Sequence, residues 1–373
     1  MYITFFKEKN QTPRLTSSDY TLDDVFAGVE FNTPVQEVQP RQSFETKTII
    51  TSKPPRSYNQ EEMNEILNRL QALASYFSPA TIANEYSTFY IPKRSGGLRE
   101  INAPNEALME VLKEMKNIFQ YNLKVLYHNA AYAYVPTRSI VNALQVHQKN
   151  NSRWFLKLDI KDFFPNCSQE FVVRTLKKIY PFSMWTEQQL NSFIWICFRN
   201  DELPQGTPMS PMLTNLIMIP VDYALQKYAY DNNFAYTRYA DDIIISGYNN
   251  FDWQNVVRAV NTTFTTLQTP FQIKAEKTRY GSSAGRNWNL GLMLNKENQI
   301  TVGYRNKKMY KAMLNNLMIA EASTNYWNVS ELQHFQGITS YYLSVEPEYF
   351  TNLINKYQDM YNIKLKDIYK RAL

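Results

Sequence analysis

Cysteine is nearly absent: Cys167 and Cys197 are the only two in 373 residues. Two thiols build neither a disulfide framework nor a cysteine-based zinc site, and they suit a reducing, cytoplasmic setting. Long apolar runs are missing too. The longest, residues 193–198, is far short of the roughly 20 residues of a membrane span, so no membrane partner is expected. The opening MYITFFKEKN leads into charge rather than a long apolar core, which argues against a secretion signal. Histidine is limited to His128, His147 and His334, which do not cluster and read as structural rather than as ligands. Glycine is scarce at ten residues, so a glycine inside a motif is a pointer to a tight turn or a close backbone approach.

What is present is globular. Hydrophobic residues make up 44% and charged residues 20%, which excludes wholesale disorder, and the length suits two or three packed subdomains. The net charge of +6 permits a nucleic-acid partner without identifying one. Residues 1–60, with Pro13, Pro34, Pro40, Pro54 and Pro55, read as an extension or arm, with an oligomer or partner contact as the alternative. From Asn59 the spacing of Met63, Ile66, Leu67, Leu70 and Leu73 predicts a helix. Phe89-Tyr90-Ile91-Pro92 and Leu98-Arg99-Glu100-Ile101 flank Lys93-Arg94-Ser95-Gly96-Gly97, a hairpin with a basic tip. Pro104 is expected to open the next helix, and 138–149, 168–180, 186–199, 211–230 and 252–268 read as further helices. Strands are expected at 154–160, 236–239, 243–246, 271–274, 289–294 and 299–303, and the last 65 or so residues as mostly helical. Helices mixed with antiparallel strands make the fold class α+β.

Asp241-Asp242 stands out, because two adjacent carboxylates between TRYA and IIIS are costly near a core unless a cation joins them. Hard oxygen ligands favour Mg²⁺. A solvent-facing hairpin turn is the plainer reading of the dipeptide alone. Asp159 ends the strand-like Trp154-Phe155-Leu156-Lys157-Leu158, and alternation can place it beside the Asp241 turn. Three carboxylates from two distant strands suit a pair of metal ions that clamps the attacking and leaving oxygens of phosphoryl transfer.

These residues carry a family resemblance. Phe155-Leu156-Lys157-Leu158-Asp159-Ile160-Lys161-Asp162-Phe163-Phe164-Pro165 resembles the first catalytic motif of reverse transcriptases. Leu203-Pro204-Gln205-Gly206-Thr207-Pro208-Met209-Ser210-Pro211 is similar to their second palm motif, and Tyr239-Ala240-Asp241-Asp242 to their catalytic box. Lys277-Thr278 and Leu290-Gly291-Leu292 resemble the later lysine motif and the primer-grip turn, with Lys274 where the family shows Asn. The flavour is that of prokaryotic retron-type and defence-associated enzymes, related to those of group II introns. His147 falls one place late for a retron signature and Asn289-Leu290-Gly291 replaces Val-Thr-Gly, which points to a sister lineage.

The resemblance implies a right-hand polymerase with an N-terminal extension over 1–60. Fingers would occupy 61–150, palm 151–165, a fingers/palm insertion 166–202, palm 203–303 and a helical thumb 304–373. It implies Asp159, Asp241, Asp242 and Lys277 as catalytic, with Lys277 assisting the leaving pyrophosphate. Asp159, Ile160, Asp241 and Asp242 would hold two Mg²⁺, with Mn²⁺ able to substitute. Lys93, Arg94, Arg99, Phe163, Phe164, Gln205 and Gly206 would bind the nucleotide, with Phe164 a steric gate against the ribose 2′-hydroxyl. Arg138, Ser139, Tyr239, Leu290, Gly291, Arg305, Lys307, Lys308 and Lys311 would touch nucleic acid. For Phe164, Gln205, Arg138, Ser139, Lys277 and the hairpin cations, packing, capping or solvated surface are the plain alternatives. The implied partners are an RNA template, a DNA or RNA primer and dNTPs, with a dedicated non-coding RNA, a defence partner protein and an oligomer left open. The expected function is RNA-directed DNA synthesis in an antiphage or retron-like system. Protein-primed or template-independent synthesis is the rival, and an inactive nucleic-acid scaffold a distant third.

Overall fold

The computed structural model describes residues 57–93, 96–283 and 291–370. Most of the expected N-terminal arm therefore lies outside the described residues. Helix α1 (Gln60–Ala74) starts at Asn59, whose side chain caps Glu62 in a reciprocal capping box, and it buries Met63, Ile66, Leu67 and Leu70. Strands β1 (Tyr86–Pro92) and β2 (Leu98–Pro104) form the expected antiparallel hairpin. Pro104 ends β2 rather than opening a helix. Asn105 caps α2 (Glu106–Asn117) instead, because its side chain accepts the Leu108 N–H. Helix α3 (Ile140–Lys149) follows.

The centre is a four-stranded antiparallel sheet in the order β4-β5-β3-β6. Its strands are β3 (Trp154–Asp159), β4 (Ala235–Tyr239), β5 (Asp242–Gly247) and β6 (Arg279–Ser282). Between β3 and β4 come α4 (Gln169–Leu176), α5 (Glu187–Ile194), α6 (Met209–Ile217) and α7 (Ile219–Asp231). The single helix expected over 211–230 is thus two. Pro220 sits in the first turn of α7, where its missing N–H breaks no bond but cannot continue the preceding helix. Helix α8 (Trp253–Thr266) follows β5. The strand expected at 271–274 is one bridge, Ile160 to Ile273, followed by a tight turn; the paired strand is β6. Short strands β7 (Met293–Leu294) and β8 (Ile300–Thr301) precede the helices α9 (Tyr304–Ala322), α10 (Val329–Val345), α11 (Pro347–Tyr361) and α12 (Leu365–Tyr369). Among the described residues no helix is long and apolar enough to cross a membrane.

The sheet separates two cores. Leu156, Leu158, Ile243 and Ile245 join the core that contains α1, α2 and α4–α8. Phe155 and Ile244 join a second core with Leu144 and with Tyr310, Leu314, Phe335 and Phe350 of the C-terminal helices. Tyr310 stacks on Phe335 at 5.3 Å, whereas Tyr304 is exposed. His147 bridges α3 to the second face, with Nδ1 2.6 Å from Ser246 Oγ and Nε2 2.7 Å from Thr237 Oγ1. Burial pushes its pKa down to about 3, so the ring is neutral.

Candidate active site

Strand alternation and register bring the carboxylates together. Asp159 closes β3 and is the register partner of Asp242, which opens β5, so both point to one face. Asp241 lies in the loop between β4 and β5, after Ala240, whose φ of 57° is a region that favours glycine. Both loop carbonyls are tied: Ile160 N–H donates to Asp241 O at 3.0 Å, and Arg238 Nη1 to Ala240 O at 3.1 Å.

Two lysines meet two of the three acids. Lys277 Nζ is 2.8 Å from Asp159 Oδ2, and Lys157 Nζ is 2.6 Å from Asp242 Oδ2. The turn that carries Lys277 is anchored by Lys274 N–H donating to Asp159 O at 2.8 Å. Asp241 has no ion pair among the described residues. Burial first, then the charges of Asp242 and Asp159, lift its pKa to about 6, with Lys277 partly opposing. Burial also raises Asp242, against the pull of Lys157. Burial works against the Lys277 charge, but its bond to Asp159 and the three acids outweigh this and hold its pKa above the usual lysine value.

Among the described residues no three acidic, histidine or cysteine side chains converge as a finished metal cage. The donor chemistry nevertheless fits a hard divalent cation: three carboxylates share one neighbourhood, and the Lys277 charge offsets the repulsion at Asp241 only in part. The side chain of Lys277 is 48% exposed, so it can swing away from Asp159. Ile160 is buried and aliphatic; the only ligand it could offer is its main-chain carbonyl.

The other predicted residues divide. Arg99 is exposed on β2 and in electrostatic reach of Tyr134, which in turn senses Asp241 and Tyr239. Lys93 is exposed at the hairpin turn, whereas Arg94 and Leu290 lie outside the described residues. Gln205 O accepts the Asn102 N–H at 2.9 Å, which docks its loop on β2. Gly206 has φ +124°, and a Cβ there would come within 3.0 Å of Asn102 O, so the close approach it permits is to the hairpin. Phe164 is partly buried beside the core.

Three of the expected positions are engaged within the fold. Phe163 is a core residue, with its ring 5.2 Å from that of Phe271, because the chain turns at Asp162 (φ 44°) and strand alternation stops there. Arg138 turns inward: Nη1 donates to the carbonyls of His128 and Ala131, both at 2.6 Å, and Ser139 caps α3. Lys307 is 2.5 Å from Glu346 Oε1 and lies over the Tyr349 ring, so it staples α9 to the α10–α11 junction. Arg305, Lys308 and Lys311 are exposed, and no ion pair among the described residues engages them. Gly291 has φ +98°, and among the described residues nothing lies within 4 Å of where a Cβ would stand, so what the fold demands there is the backbone conformation.

Sequence reasoning missed Lys157, Tyr134 and the buried Arg238–Asp222 pair. Lys157 was within reach of the alternation that located Asp159, two residues on. Arg238 carried a signal as well, a lone cation in a buried strand. Tyr134 had none.

Against known proteins, a family model described as "Reverse transcriptase (RNA-dependent DNA polymerase)" matches residues 91–309. Retron Ec83 reverse transcriptase of Escherichia coli is 28% identical over 286 residues, covering 74% of this chain and 88% of that protein. Retron Ec73 reverse transcriptase, also of Escherichia coli, is 29% identical, covering 72% and 85%. Retron Mx65 reverse transcriptase of Myxococcus xanthus is 29% identical, covering 74% and 64%. Among solved structures, apo telomerase from Candida tropicalis aligns at 12% identity over 80% of this chain and 63% of that one, with a TM-score of 0.44, too distant to inform the site.

Proposed function

The chain belongs to the reverse transcriptase family, as an RNA-directed DNA polymerase of prokaryotic retron type with an α+β right-hand fold, and we propose that its synthesis runs at Asp159, Asp241 and Asp242. The observation that carries this is the cross-strand pairing of Asp159 with Asp242, which sets Asp241 beside them as a desolvated carboxylate with no direct ion pair among the described residues. These three side chains, with the Ile160 carbonyl, would hold two Mg²⁺. When bound, the ions supply Lewis-acid neutralisation of charge on the attacking and leaving oxygens.

The chain's own groups do the rest. A primer 3′-hydroxyl gives up its proton to solvent water as its oxygen attacks the α-phosphorus of a dNTP, the bond to the β-phosphate breaks, and pyrophosphate leaves. Lys277, held protonated beside the acids, donates toward the leaving group. Lys93 and Arg99 neutralise the triphosphate from the hairpin. Gln205 and Gly206 line the pocket, and Phe164 crowds a 2′-hydroxyl. Arg305, Lys308 and Lys311 meet duplex phosphates. The domain division is the one expected above, with the central sheet as palm and α9–α12 as thumb.

We favour a non-coding RNA as template in an antiphage or retron-like programme, because the similar curated proteins are retron reverse transcriptases. Sequencing nucleic acid that co-purifies with the wild type and with Asp241→Ala tests this. The double replacement Asp241→Ala with Asp242→Ala should reduce primer extension on an RNA template below detection; wild-type extension would sink the reading. Protein priming is a second reading, favoured by the half-exposed Tyr134 in reach of Asp241. It requires product that survives denaturation on the protein, is released by protease and is lost in Tyr134→Phe.

A further inference from the structure

Beneath the catalytic loop lies an ion pair that none of the steps above uses. Arg238 and Asp222 are both fully buried. Arg238 Nε donates to Asp222 Oδ1 at 2.8 Å and Nη2 to Asp222 Oδ2 at 2.7 Å, a bidentate fork. Nη1 divides between Asn215 Oδ1 and Ala240 O, each at 3.1 Å. Tyr236 OH adds a third bond to Asp222, at 2.6 Å, and Asn215 Nδ2 donates to Ala133 O at 2.8 Å. The main chain of Arg238 also pairs with Ala130 and Tyr132. The guanidinium thus connects α6 and α7 to the loop that presents Asp241, while the Arg238 main chain and Asn215 tie in the 130–133 segment.

Fastening α7 to the sheet needs only the fork to Asp222, and apolar packing would serve that purpose as well, because burying two charges carries a desolvation cost. The bond to Ala240 is different. Its acceptor is the carbonyl of a non-glycine residue with positive φ, a conformation that persists only where surroundings impose it. Ala240 itself is buried, so its carbonyl needs a partner inside the protein. The other loop carbonyl, on Asp241, is held by Ile160 N–H.

We propose that Arg238, braced by Asp222 and Asn215, is a positioning residue that locks the Ala240–Asp241 loop and so aims the Asp241 carboxylate at Asp159. This rests on the reading of Asp241 as catalytic. The pair's contribution is to turnover and to cation affinity at the carboxylates, separable from its contribution to folding.

The test uses the full chain with Arg238→Lys and with the double replacement Arg238→Met, Asp222→Leu, which leaves no unpaired buried charge. Thermal unfolding, primer–template Kd, dNTP KM, kcat and Mn²⁺ affinity by electron paramagnetic resonance are measured for each. Both variants should fold and keep Kd and KM within about threefold. Their kcat should fall about 30- to 100-fold, as expected for a misplaced reacting group. Mn²⁺ affinity should weaken about tenfold, as when an outer-shell support is removed. If the double variant fails to fold, Arg238→Lys decides. Unchanged kcat and Mn²⁺ affinity in a folded variant overturn the proposal, as does a fall in kcat matched by an equal loss of primer–template binding. Asp241→Asn is run alongside: if it keeps wild-type turnover, the reading of Asp241 has failed rather than the positioning role.

Discussion

Asp241 is held in a charge state that the fold alone disfavours. Its pKa of about 6 in the folded chain lies above the ordinary 3.8, so the folded state binds the proton more tightly than the unfolded state does. Stability therefore falls as pH rises from about 4 to 6, and the penalty is complete above that window. Asp241→Asn should raise stability at pH 7.5 in chelator by up to about 3 kcal/mol. The gain should vanish near pH 3.5, and Mg²⁺ should raise the Tm of the wild type more than that of the variant. A gain that is the same at both pH values would refute this. Asp159, Asp241 and Asp242 were legible in the sequence because strand periodicity and motif order both pointed to them. Phe163 was not, because the positive φ at Asp162 turns the chain out of the strand, after which alternation no longer reports which way a side chain points. The partners of Arg138 and Lys307, backbone carbonyls for one and Glu346 for the other, were not legible either, because they come from contacts that spacing does not reveal.

Gly206 and Gly291 show how one residue type serves two ends. Gly206 permits both an unusual φ and the approach of β2, whereas Gly291 permits φ alone. Gly206→Ala should therefore cost more stability than Gly291→Ala, about 2–3 against about 1–2 kcal/mol, and should also raise the KM for dNTP by lifting the 203–208 loop from the hairpin. Equal losses, with KM unchanged in both, would show that the contact with Asn102 is immaterial. The hairpin, the capped α1 and the paired β4 and β5 followed from periodicity, because each announces itself within its own few residues. The break at Met218, the end of β2 at Pro104 and the strand at 279–282 did not. Each depends on what the segment meets across the fold: β6 exists because the β3 edge is there to pair with it.

A net charge of +6 understates the surface offered to a phosphate backbone. Setting aside Asp159, Asp162, Asp241 and Asp242 raises the balance from +6 to +10. Arg305, Lys308 and Lys311 form an exposed set along α9, while Lys307 is committed to Glu346. Replacing those three by Ala should weaken duplex binding irrespective of sequence and reduce the salt-dependence slope by about 2–3, near one per phosphate contact. Lys307→Ala should instead lower the Tm with little change of slope; a slope change equal to that of the triple variant would return Lys307 to the nucleic-acid surface. The separation of the two cores has a larger consequence. Phe155 answers to the C-terminal helices, while its neighbours Leu156 and Leu158 answer to the other side. The sheet that holds the aspartates is thus a party wall, with no side on which substitution is free. The helices beyond Gly303 are no appendage that could be exchanged or shed: they cover one face of the strands that keep Asp159 level with Asp242.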